Sequence, residues 1–121
     1  MPTAALVALG GAAGALVRYG IGLRVGGRAF PWATLAVNLS GCFLLALVLG
    51  GLGPARWSPS TTTALAVGVL GAYTTFSTFG FEAFALLRAD RTAAAAAYVG
   101  LSLAGGLTAT ALGYLAGRTV A

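Results

Sequence analysis

Residues 71–84 read GAYTTFSTFGFEAF, and in them four hydroxyl side chains (Thr74, Thr75, Ser77, Thr78) alternate with five aromatic ones (Tyr73, Phe76, Phe79, Phe81, Phe84), with Glu82 near the end. Hydroxyls of this kind compete with a helix for its own backbone hydrogen bonds, and Gly71 and Gly80 weaken helical structure further. The pattern predicts a helix that breaks here and frees backbone carbonyls, which as hard oxygen ligands suit a small cation. Phe76 and Phe79 are three residues apart and share a face if the turn stays near-helical. Such pairs usually face lipid or a core. A ring edge also carries partial positive charge, however, and can meet a small dehydrated anion where hydroxyl and amide donors complete its shell.

Other polar residues stand in apolar surroundings: Arg18, Thr34, Asn38, Tyr98 and Ser102. Thr34 and Asn38 are one helical turn apart, as are Tyr98 and Ser102, so each pair shares a face. Each has an ordinary structural reading beside the functional one. An arginine can snorkel, an asparagine can join two helices, a tyrosine can sit in an interfacial belt, and a serine can bond back to its own helix. The functional alternative is a lined, anion-attracting cavity, since ionisable groups at membrane depth are costly.

The elements that must position these residues follow from composition. Of 121 residues 59% are hydrophobic and 7% charged, with no histidine. A soluble domain carries about 25% charged residues. Four apolar stretches, 4–23, 32–52, 61–81 (its helix continuing to 86) and 93–116, each reach the roughly 20 residues a helix needs to cross about 30 Å of hydrocarbon. The expectation is one all-α membrane unit of four spans over residues 1–121, joined by short connectors, with both termini on one side and the third helix broken near its middle. The first stretch lacks the basic flank of a signal peptide and reads as a span.

Counting the helical rise puts Arg18 and Asn38 at one level, each roughly 9 Å from the face that carries the first and third connectors. Tyr98 and Ser102 lie roughly 8 and 14 Å from that face. Four connector arginines on it (Arg24, Arg28, Arg88, Arg91) against two on the terminal side (Arg56, Arg118) specify orientation only weakly. The net charge of +5 comes from scattered arginines, with no stripe to follow a nucleic acid. Cys42 is the only cysteine and reads as a small packed hydrophobe. Among nineteen glycines, Gly10 with Gly14, Gly22 with Gly26 and Gly113 with Gly117 have the spacing of close helix packing.

Three blocks carry a resemblance over nearly the whole chain: GGAAGALVRY (residues 10–19), TLAVNLSGCF (34–43) and GVLGAYTTFSTFGFE (68–82). In this order and spacing the sequence resembles the CrcB/Fluc family of fluoride channels. The resemblance implies a passive fluoride channel, an antiparallel, dual-topology homodimer with two pores at the subunit interface, in a bacterial plasma membrane. It implies that Asn38, Phe76 and Phe79 line each pore with Ser77 and Thr78 nearby, and that Arg18 lies at the vestibule. Thr34, Tyr98 and Ser102 would belong to a polar track, and Gly71 and Thr74 would offer backbone carbonyls to a central structural Na+. The family's track can continue with a serine one turn beyond Ser102, where this chain has Gly106, so a water or Thr110 would have to substitute. Glu82 matches its block and is read as a local cap or pairing residue.

No nucleophile, phosphate loop or metal-hydrolase pattern is present, so no enzymatic activity is expected. A small dual-topology multidrug transporter is the alternative with the same span count. It would want a membrane-embedded carboxylate in the first span, where this chain has Arg18. A non-conducting packing subunit would leave Arg18, Asn38 and the hydroxyl cluster without a reason.

Overall fold

The computed structural model describes all 121 residues, and they form four long helical stretches and no strands. All four are long and apolar enough to cross a membrane: Thr3–Val25, Trp32–Arg56, Pro59–Arg88 and Thr92–Val120. They are the first to fourth spans below. Local chemistry sets their ends. Ser58 accepts a hydrogen bond from the Thr61 amide and Pro59 occupies the first turn, where a missing N–H costs nothing. The third span ends in a Schellman arrangement: Asp90 takes φ 58°, its N–H donates to Leu87 O, and the Arg91 N–H donates to Leu86 O.

Two spans depart from a straight α-helix. The second widens into π-helical turns at Val48–Leu52, and Gly51 leaves helical φ/ψ there. In the third, π-helical turns at Ala64–Leu70 lead into Gly71–Tyr73. Thr74 and Thr75 then take extended backbone (φ −84°, ψ 158° and φ −151°, ψ 117°), and α-helix resumes at Phe76–Arg88. The Thr75 hydroxyl accepts from the Thr78 amide and so caps the resumed helix.

The first span packs on the third and the second on the fourth. Both seams are made by glycine. A Cβ at Gly14 would run into the Val69 carbonyl, and one at Gly10 or Gly68 would crowd the backbone of the facing span. Across the other seam, Gly113 faces the Phe43 carbonyl and Gly117 that of Leu47. Without side chains at these positions the backbones come close enough for dispersion to hold helices together in a solvent that offers no hydrophobic drive. Gly22 has the same spacing to Gly26 but no other helix near it. That pair is exposed and makes no seam within the chain.

The buried core lies toward the end carrying the first and third connectors and comprises Leu35, Phe79, Leu86, Ala95 and Tyr98, with Phe30 and Leu39 against it. Leu9, Leu16, Val67, Phe81 and Leu107 point outward, an arrangement suited to a lipid environment.

Candidate functional site

The site is organised around the two extended residues of the third span. Asn38, on the second span, bonds Thr75 twice: its Nδ2 donates to the Thr75 carbonyl at 3.0 Å and its Oδ1 accepts from the Thr75 amide at 2.8 Å. Its side chain thus replaces two backbone partners lost where the helix is interrupted. Arg18, on the first span, donates from Nε to the Ala72 carbonyl at 3.1 Å. Thr74 turns its hydroxyl back to Leu70 O at 3.1 Å. The expected common level of Arg18 and Asn38 is realised here, because both reach the same short stretch, residues 72–75.

These bonds leave two carbonyls over. In an unbroken helix Gly71 O would accept from the Thr75 amide and Thr74 O from the Thr78 amide. The first amide goes to Asn38 and the second to Thr75 Oγ1. No other turn or loop bond reaches either carbonyl. Gly71 is exposed. Released carbonyl oxygens are of the hard, neutral type that small cations take, and two of them make only part of such a shell. No cluster of three or more His, Cys, Asp or Glu side chains offers a competing metal site.

Next to the interruption, a cavity of about 250 Å³ gathers Asn38, Cys42, Thr74, Phe76, Phe79 and Ser102. Phe76 and Phe79 have ring centroids 5.7 Å apart, but they differ in environment: Phe79 is 9% exposed and Phe76 81%. Ser77 is also exposed, and Thr78 is half-buried. Phe79 meets Tyr98 edge-on at 5.2 Å. Tyr98 in turn meets Phe30 at 5.5 Å. Tyr98 is 0% exposed, so the belt reading does not hold for it. Its ring is held by the core while its hydroxyl has no hydrogen-bond partner. Ser102 Oγ is likewise buried and unpartnered, so it does not bond back to its own helix.

Thr34 is buried and donates to Glu82 Oε1 at 2.6 Å. Glu82 is therefore not a local cap. It joins the third span to the second beside Tyr98, whose polar neighbours are Glu82 and Thr34. Thr110, one candidate for extending the track past Gly106, donates to the Gly106 carbonyl at 2.8 Å. Cys42 lines the cavity as a half-buried small group and has no disulfide partner. A second cavity of about 240 Å³ holds Arg18, Thr34, Thr75 and Thr78.

Residues 5–114 match the family model described as CrcB-like protein, Camphor Resistance (CrcB). The chain belongs to the CrcB-like family. A relative from Acidobacterium capsulatum named "Fluoride-specific ion channel FluC" is 44% identical over 119 residues, 94% of each chain. One of the same name from Thermus thermophilus is 46% identical over 115 residues, 93% of this chain and 92% of its own. A "Fluoride-specific ion channel FluC 2" from Rhodococcus jostii is 46% identical over 113 residues, covering 93% and 96%. In this CrcB-like chain, Asn38, Thr74, Phe76, Phe79 and Ser102 gather at the cavity beside the interruption and Arg18 bonds into the interruption, whereas Thr34 lines the second cavity, Tyr98 lies in the core and Ser77 is exposed. Glu82's cross-span bond and Arg18's bond to a carbonyl are the features that sequence reasoning missed, and no residue pattern marks a backbone acceptor.

Proposed function

We propose that the chain is the subunit of a fluoride-selective channel, a multi-pass protein of the bacterial plasma membrane that lets fluoride leave the cell passively. The observation that carries this reading is the cavity of about 250 Å³ beside the interruption, where Phe79 and Phe76 stand with Asn38, Thr74 and Ser102. A small anion shedding water there would exchange its hydration shell for hydroxyl donors and the positive edges of two rings. The 44–46% identity to relatives named fluoride-specific ion channels supports the choice of anion.

A second copy in antiparallel orientation completes the proposal. Phe76, Phe81 and Gly71 lie on the surface of one chain, and an inverted partner would cover them and make two pores related by symmetry. The weak arginine bias permits insertion both ways. Gly71 and Thr74 of each copy would hold the central Na+ with carbonyl oxygens. Bound there, the ion would neutralise the dipoles of four released carbonyls and tie the two interruptions together.

Anion efflux from liposomes tests the reading. With purified protein, fluoride and chloride electrodes should record rapid fluoride release without chloride release, and Asn38→Ala and Phe76→Ala should weaken it. Folded protein that passes no fluoride would overturn the proposal.

A further inference from the structure

A cavity of about 330 Å³ opens at the connector end and is lined by Arg28, Phe30, Trp32, Glu82 and Arg91 among others. It lies apart from the aromatic cavity, with no lining residue in common. Glu82 connects it to the buried polar groups, because this lining residue also accepts from Thr34 at Oε1, beside Tyr98. The two arginines come from different connectors. Arg91 donates from one terminal nitrogen to the Ala29 carbonyl at 2.9 Å and so ties the third connector to the first. Arg28 is exposed one residue away from that carbonyl.

The charges pose a physical problem for an anion. A lone carboxylate at the mouth of a path would repel fluoride, most of all where low-dielectric walls focus its field. Two guanidiniums in the same lining reverse the sign, to a net charge of +1 from Arg28, Arg91 and Glu82. Asp90 is adjacent in sequence to Arg91 but does not line the cavity. Arginine keeps its charge at any pH the cell meets.

We infer that Arg28 and Arg91 form an anion-gathering mouth that offsets Glu82 and feeds fluoride to the Thr34 and Tyr98 end of the path. The inference rests on the proposed channel function and adds to it an entry step with its own residues. Gathering of this kind is long-range electrostatics, so it weakens as salt shortens the screening length. Packing does not.

Initial fluoride flux at subsaturating fluoride, compared at low and high ionic strength, is the test, with Arg28→Gln, Arg28→Lys, Arg91→Gln and Arg118→Gln. Arg118 has the same charge and stands over Tyr114 near the other end of the fourth span, outside this cavity. At ~10 mM salt, where the Debye length is about 30 Å, Arg28→Gln should lower flux at least about twofold, and at ~1 M, where it is about 3 Å, the deficit should vanish. Arg28→Lys should keep wild-type flux, Arg91→Gln should repeat the salt-dependent loss, and Arg118→Gln should cost clearly less than either. A loss equal at both salts, no loss, or the same loss in Arg118→Gln would overturn the mouth while leaving the channel standing. Absence of fluoride flux in the wild-type protein would overturn the channel itself.

Discussion

Two polar regions of this chain face the same solvent problem and solve it differently. Around Thr74 and Thr75, the side chains of Asn38 and Arg18 and the Thr75 hydroxyl are committed to backbone groups. On the fourth span, the Tyr98 and Ser102 hydroxyls are buried and close no well-formed hydrogen bond, although Glu82 and Thr34 stand beside that of Tyr98. A buried group left without a partner costs about 1–3 kcal/mol, so the second region is tolerated at a loss while the first recovers its bonds. The committed groups hold a shape.

The contrast fails or holds on three substitutions. Asn38→Ala strands both the N–H and the C=O of Thr75, and stability should fall by about 2–5 kcal/mol. A large drop of the thermal midpoint in detergent would show it, and an unchanged midpoint would mean that the double bond to Thr75 holds nothing. Tyr98→Phe removes a hydroxyl that closes no well-formed hydrogen bond with its neighbours Glu82 and Thr34, and keeps the ring contacts with Phe30 and Phe79. Stability should stay level or rise by about 1 kcal/mol, while fluoride flux falls. A clear destabilisation would place Tyr98 in the committed class. Ser102→Ala likewise removes a buried hydroxyl without a bond, so stability should stay level or rise by up to about 1 kcal/mol, while flux still slows. Equal flux in wild type and this variant would remove Ser102 from the path.

Four spans were legible in the sequence because membrane thickness fixes their length and lipid excludes charge, so hydropathy alone locates them. The rise per residue was enough to bring Arg18 and Asn38 to one level. The helix rotations were not legible, since they depend on which faces pack. Tyr98 reads equally well as a belt residue until Phe30 and Phe79 are seen to enclose it. Glycine spacing alone does not tell which pairs pack within the chain, for the same reason. Gly10 with Gly14 and Gly22 with Gly26 have identical spacing, but only the first pair faces another helix. The partners of Arg18 and Asn38 are backbone atoms, and every residue supplies those alike. Glu82 was misplaced because its partner Thr34 is 48 positions away.

The glycine seams also bear on how this chain can vary. At Gly113 the obstacle to a larger residue is the Phe43 carbonyl, and at Gly14 it is the Val69 carbonyl. No second-site change of side chain can remove a carbonyl, so a lesion at either glycine has no local suppressor. Gly41 is different, because a Cβ there meets first the Thr74 methyl. A Gly41→Ala lesion is therefore one that Thr74→Ser can relieve, and among these three glycines it is the position where drift in the lineage can proceed in pairs.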